Sequence, residues 1–260
     1  MKKGRFVAAV TPPLIVFVGV VLVIQILVRV LHIEPFLLPA PSDIGLALWT
    51  YRWDLLASLW TTAQAALIGF VASAILGVAA AILLSSSPLI RRAFYPYTVF
   101  FQTVPIVAIS PLLVIWFDAG LAAVALSAFI VSVFPVIANT LTGLLSTDPA
   151  LDDMFRLYGA SAWARLVKLR LPSALPNIIT GLRIAAGLAV IGTVVAEFLV
   201  GLLGNGEGVG VRIISAKKLG RTDEVFAAVL VASLLGLLMF AAINLAGRLL
   251  LRRWHASEQD

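Results

Sequence analysis

The chain has 260 residues, of which 61% are hydrophobic and only 12% charged, and its mean hydropathy is +1.06. Soluble domains carry roughly 25% charged residues, so an ordinary globular core is excluded and one polytopic membrane domain over residues 1–260 is expected. The formal charge of +6 does not indicate nucleic acid, because the basic residues cluster at the ends of apolar runs, and the absence of cysteine excludes disulfide, thiol and iron–sulfur chemistry.

A crossing of a ~30 Å hydrocarbon core takes about 20 apolar residues, and six such runs follow in chain order, at about 8–31, 63–84, 98–117, 121–144, 177–203 and 225–251. The first follows Met1-Lys2-Lys3 in the manner of a signal peptide. Its apolar run is too long for one and lacks a small-residue cleavage site, so a retained helix is expected. Trp49, Tyr51, Trp53 and Trp60, ahead of the second run, suit an interfacial aromatic belt. The third and fourth runs nearly merge at Asp118, which reads as a short turn. Pro105, Pro111 and Pro135 suggest kinks or breaks near the bundle centre, tolerated only where backbone is buried or lines a cavity. Gln102, Thr103 and Asn139 are polar groups at membrane depth, candidates either for a pathway lining or for hydrogen bonds between helices. Glu197 near the end of the fifth run is costly in hydrocarbon and is a pathway candidate, unless it sits solvated at the outer interface. Gly69, Gly77 and their small neighbours are expected to allow close helix packing.

Six crossings with both termini in the cytoplasm put Lys2, Lys3, Arg5, Arg91, Arg92, Arg156, Arg165, Lys168, Arg170, Arg183, Arg248, Arg252 and Arg253 inside, 13 of the 19 basic residues. Arg29, Arg52, Arg212, Lys217, Lys218 and Arg221 fall outside, the last four partly offset by Glu207, Asp223 and Glu224. The asymmetry supports that orientation.

Between the fourth and fifth runs lies a polar island, residues 148–176. Asp148-Pro149 is a helix start, since Asp accepts orphan N–H groups and Pro suits the first turn. Asp152 and Asp153 complement the helix dipole. Gly159-Ala160-Ser161 predicts a bend, with Ser161 capping a second short helix that carries Trp163, Leu166 and Leu169 and that Pro172 stops. Two short amphipathic helices bent at Gly159 and projecting from the cytoplasmic face are the expectation, against a plain solvated loop.

The island resembles the EAA loop of bacterial ABC-importer permeases: Glu-Ala-Ala, three residues, Gly, nine residues, Ile, one residue, Leu-Pro. Here Gly159, Leu169, Arg170 and Leu171-Pro172 match its second half, while Asp153-Met154-Phe155 stands in place of Glu-Ala-Ala. Leu38-Pro39-Ala40-Pro41-Ser42, Gln102-Thr103-Val104-Pro105, Gly181-Leu182-Arg183 and Ala196-Glu197-Phe198 resemble the nitrate/sulfonate/taurine branch, which also includes permeases for pyrimidine vitamin precursors and riboflavin.

The resemblance implies an all-α type I importer permease of six transmembrane helices in the bacterial inner membrane. Two copies form the pathway as a homodimer, an ABC ATPase dimer receives the short helices, and an extracytoplasmic binding protein delivers the solute. ATP and Mg would be held by the ATPase, since this chain has no G-x-x-x-x-G-K-[ST] loop; no cofactor, metal or catalytic residue is expected in it. The implied coupling residues are Asp153, Arg156, Gly159, Ala160, Ser161, Leu169, Leu171 and Pro172, and the candidate pathway residues Gln102, Thr103, Pro105, Asn139 and Glu197. The solute is expected to be a small anion such as a sulfonate, taurine or nitrate, with a pyrimidine-type vitamin precursor or riboflavin as the alternative.

Three other readings are weaker. The glycine-rich 204–210 stretch could pass for a phosphate loop, but such loops need a strand before and a helix after them in a soluble sheet, so a flexible outer turn is expected. An intramembrane protease lacks a histidine or a carboxylate pair within its spans, His32 and His255 lying at opposite ends of the sequence. A secondary carrier, needing no ATPase, would require its own coupling charges or a pore-lining repeat, and the spans carry few such charges and no obvious repeat.

Overall fold

The computed structural model describes residues 2–204 and 206–251, and every regular element among them is a helix. Arg252, Arg253, His255 and Asn205 lie outside the described residues. In chain order the helices are α1 (Lys2–Val30), α2 (Pro41–Thr50), α3 (Arg52–Ser86), α4 (Pro88–Thr103), α5 (Ile106–Phe117) and α6 (Leu121–Leu145). They continue with α7 (Pro149–Leu157), α8 (Ala162–Arg165), α9 (Leu171–Leu202), α10 (Val209–Lys218) and α11 (Thr222–Leu251). Four helical stretches are long and apolar enough to cross a membrane: Arg52–Ser86, Leu121–Leu145, Ala162–Leu202 and Thr222–Leu250. Leu14–Val30 and Ile106–Phe117 are shorter apolar helices at the first and third expected crossings.

The centre is α6 packed between α3 and α9, with α11 against α9. Lipid tails are as apolar as leucine, so helices in a bilayer gain by close packing rather than by burying oil from water. The contacts are accordingly built from small residues. Phe70, Ala128, Val136, Ala185, Ala186 and Ala189 form one buried cluster. A side chain at Gly69 or Gly77 would collide with Ala128 or Val136, and one at Gly192 with the α6 backbone at Ser127 and Ala128. Ser73 and Ser132 share a 2.6 Å hydrogen bond between α3 and α6.

The backbone breaks at Pro105, as its proline suggested, and corrects two other expectations. The third run is not one continuous helix: Val104 (φ −72°, ψ 122°) and Pro105 (φ −65°, ψ 120°) are extended and separate α4 from α5. Pro105 has no N–H to donate, and its ring disfavours the helical region for the residue before it. Pro111 and Pro135, by contrast, lie inside α5 and α6.

Pro172 does not stop a helix either. Ala162–Leu202 is one helical rod in which residues Leu166–Arg170 form a π turn, the Leu171 N–H donating to Leu166 O five residues back. The π turn accommodates one additional residue just where proline can neither donate nor fit a tight α turn.

The end of the glycine-rich stretch, Gly208 to Gly210, is not a free turn. Gly208 and Gly210 are buried, and Val209 opens α10, whose Val209 and Ile213 pack with Ala47, Leu55, Ala227, Ala228 and Ala232. The bundle thus has two dissimilar ends, one carrying α7 and α8, the other α2 and α10.

Candidate functional site

Capping chemistry fixes α7 locally. Asp148 accepts from Ala150 N at 2.8 Å and Pro149 fills the first turn. At the other end Tyr158 is the last half-helical residue. Gly159 N donates to Arg156 O and Ala160 N to Phe155 O, both at 2.9 Å, the paired bonds of a Schellman motif. Gly159 sits at φ +74° with open space around it, so its requirement is conformational rather than steric. Ser161 then caps α8, accepting from Ala164 N at 3.1 Å. The bend expected at 159–161 is therefore two caps back to back.

A single carboxylate holds this segment to the span, and it is Asp152. Its side chain is 11% exposed, and it meets Arg156 at 3.1 Å, Arg165 at 3.0 Å and Arg170 at 3.1 Å. Burial alone would raise this carboxyl, but the hydrogen bond and charge of Arg170, with the charges of Arg165 and Arg156, outweigh it and hold it below the ordinary carboxylate value. Asp153, the residue matched to the motif's Glu, points away: it is 71% exposed, with only Arg156 at 3.9 Å. Sequence matching by position passed over Asp152. The available signal was three arginines at 156, 165 and 170 converging on one acid in a folded-back pair of helices.

Of the remaining matched residues, Leu169 is buried in the π turn, and Leu171 packs with Leu166 on the cluster of Ala81, Leu84, Ile137, Leu141, Leu144 and Ala174. Pro172 is half-buried, Ala160 half-buried and Ser161 exposed. The outward surface of the bend is apolar: Leu157, Tyr158 and Trp163 are 89%, 85% and 71% exposed. Three large apolar side chains are thus presented together beside the bend.

The candidate pathway residues separate into three places. Gln102, Thr103 and Pro105 are exposed at the α4–α5 break. Asn139 is half-buried on α6, its amide donating to Pro135 O at 2.9 Å. Glu197 lies on α9 toward the α10 end, 3% exposed. It is not solvated: Thr62 Oγ1 donates to it at 2.8 Å and Gly210 N at 2.8 Å. The structure does not bring these five residues into one constellation.

The α10 end holds a second ionic cluster. Arg212 lies 2.9 Å from Asp54 and donates through Nε to Glu224, which is 2% exposed; Arg221 reaches the same carboxyl at 3.6 Å. Arg212 and Arg221 both stand 5.7 Å from the Tyr51 ring. Arg29 pairs with Asp43 at 2.8 Å, Arg52 stacks on Trp49 at 4.5 Å, and Lys218 donates to Gly201 O at 3.3 Å. Five of the six basic residues that opposed the charge asymmetry are thus tied down locally.

A bundle of apolar spans packed through small residues, with a capped, charge-clamped helix pair at one end, is the architecture of a polytopic membrane protein. Residues 73–256 match the family described as binding-protein-dependent transport system inner membrane component, and the chain belongs to it, as an ABC permease of the nitrate/sulfonate/taurine branch. It is 35% identical over 246 residues to the formylaminopyrimidine transport permease ThiX of Halalkalibacterium halodurans, covering 92% of this chain and 94% of that one. It is 33% identical to the nitrate import permease NrtB of Leptolyngbya laminosa, covering 82% and 72%. With the riboflavin transport permease RibX of Chloroflexus aurantiacus the identity is 32%, covering 85% and 82%. Among solved structures, a chain of the inward-facing MetNI methionine ABC transporter superimposes with TM-score 0.61 at 19% identity, covering 78% of this chain and 97% of that one, a likeness of fold.

Proposed function

We propose that the chain is the permease subunit of an ATP-driven importer for a small anion such as a sulfonate, taurine or nitrate. Two copies form the pathway, an ATPase dimer that binds ATP and Mg docks on α7 and α8, and a binding protein delivers solute at the α10 end. That places α7, α8 and both termini in the cytoplasm. The observation that carries the reading is the rigid connection of the exposed Leu157–Tyr158–Trp163 surface to a span, through the Asp152 clamp and the unbroken rod Ala162–Leu202. A push on α7 reaches α9 through the Asp152 clamp to Arg165 and Arg170, which bridges the 159–161 bend. The coupling set of Asp153, Arg156, Gly159, Ala160, Ser161, Leu169, Leu171 and Pro172 then divides by role. Asp153, Arg156 and Ser161 face the partner, Gly159 and Ala160 set the bend, and Leu169, Leu171 and Pro172 anchor it. Gln102, Thr103 and Pro105, at the broken third span, and Asn139 are proposed to line the pathway.

A second solute class has its own support, since the relatives named for formylaminopyrimidine and riboflavin are as similar as the one named for nitrate. The test is purification of the tagged chain from its own membrane with mass spectrometry of co-purifying proteins, followed by uptake in proteoliposomes. Recovery of an ABC ATPase, lost in an Asp152→Ala and Tyr158→Glu double variant, supports ATP coupling. Solute uptake by the chain alone, without ATP, overturns it. Competition among taurine, nitrate and a pyrimidine for the co-purified binding protein separates the two solute classes.

A further inference from the structure

Glu197 and Thr62 are engaged in a way that neither a pathway lining nor helix packing requires. Glu197 is on α9, Thr62 is on α3, and both are buried at the α10 end of the bundle. Thr62 Oγ1 donates to Glu197 Oε1 at 2.8 Å and accepts from Val209 N at 2.8 Å; Glu197 Oε2 accepts from Gly210 N at 2.8 Å. Two of the orphan N–H groups that open α10 are therefore satisfied by side chains from two different spans. Gly208 adds an independent observation. Its backbone, at φ −74° and ψ 170°, is open to any residue, yet a methyl group there would overlap the Glu197 carboxyl itself. Its three nearest neighbours are all Glu197 atoms, so the position is small because the carboxyl occupies the space.

We infer that Glu197 and Thr62 are positioning residues forming a latch that fastens Gly208 and the start of α10 onto α3 and α9. The α10 end then moves as one body with those spans. The latch also sets one wall of the cleft of about 380 Å³ lined by Asp54, Ser58, Glu207, Gly208, Arg212 and Ser215. Under the importer reading this cleft opens on the side where solute is delivered, and only its functional setting rests on that reading.

The chain has no native cysteine, so a single Val209→Cys reporter in the full-length protein in nanodiscs gives a clean accessibility measurement without ATP, ATPase or solute. Val209 is 0% exposed, and slow labelling by a hydrophilic maleimide is expected in the parent. Glu197→Ala and Thr62→Val each raise the rate by about tenfold or more, since each leaves buried N–H groups unpaired, and the isosteric Glu197→Gln largely restores protection. Gly208→Ala raises labelling in the Glu197 background but adds nothing in the Glu197→Ala background, where its methyl group has room. That non-additivity is what a purely structural glycine would not show. Rapid labelling of the parent, unchanged labelling in Glu197→Ala and Thr62→Val, or an undiminished Gly208→Ala effect in the Glu197→Ala background each overturns the latch. None of these bears on ATP coupling, so failure of the latch and failure of the importer reading are distinguishable.

Discussion

The two ends of the bundle solve the same problem with opposite polarity. At the α7 end one acid, Asp152, gathers three arginines; at the α10 end one arginine, Arg212, joins two acids, with Arg221 on the shared Glu224. The α7 cluster leaves its arginines 18–58% exposed and lies beneath an apolar surface that is almost fully bare. The α10 cluster buries Glu224 to 2% exposure and sits beside a helix sewn to two spans through backbone N–H groups. One end is a clamp that holds a presented surface; the other is a closed seam. Exposed charge pairs contribute little on their own, whereas a buried charge stripped of its partner is costly. The same substitution is therefore expected to have unequal effects at the two ends.

The largest effect is expected for Arg212→Met, which leaves the buried Glu224 with only Arg221 at 3.6 Å. A loss of about 3 kcal/mol in stability is expected, read as the fall in melting temperature in detergent; a drop no larger than that of Asp54→Asn would remove the contrast between seam and surface. Next is Asp152→Asn, expected to cost about 2 kcal/mol and to reduce ATP-dependent uptake more than tenfold while leaving membrane insertion intact. Asp153→Asn at the adjacent position is expected to leave stability unchanged, which separates the structural acid from its exposed neighbour. Gly159→Ala follows, at about 1 kcal/mol for a non-glycine residue at positive φ, with Gly159→Asn closer to the parent because asparagine tolerates that region. Parallel uptake assays check whether loss of the bend tracks loss of coupling. At the α10 end the smallest effect is expected from Asp54→Asn, within about 1 kcal/mol, since its carboxylate is 59% exposed.

The pH dependence of the α7 clamp sharpens the same comparison. The Asp152 carboxyl is held below its ordinary value of 3.8 in the folded protein, so its contribution is fully present above that value and lost as pH falls through the folded one. The stability difference between the parent and Asp152→Asn should be constant from neutral pH down to about pH 5 and should collapse only below about pH 4. A difference that titrates near neutrality would mean that the arginines do not hold the carboxylate.

Much of this was legible without coordinates because it rests on local chemistry. Asp148, Pro149, Gly159 and Ser161 are cap residues whose roles follow from a few neighbouring bonds, and each performs that role. The apolar runs located the long crossings, and the glycines of α3 foretold close contact. What failed was where two distant segments meet. Pro172 read as a stop because a π turn cannot be seen in periodicity. The anchoring role of Asp152 is invisible to a linear motif, which counts positions, while burial depends on which side of α7 faces Arg165 and Arg170. The 204–210 stretch read as flexible because its glycines suggest freedom, when two of them are small to admit Glu197.

The sequence by itself determined an all-helical, multi-span membrane protein with a capped helix pair between two crossings, because hydropathy, caps and turn chemistry act over a few residues. Only the tertiary structure decided which acid anchors that pair, that α8 and α9 are one rod, and that α10 is fastened by Glu197 and Thr62. The anchor joins residues 13 and 18 positions apart across a bend, and the Glu197–Thr62 contact joins side chains 135 positions apart, so both depend on where the folded backbone brings them.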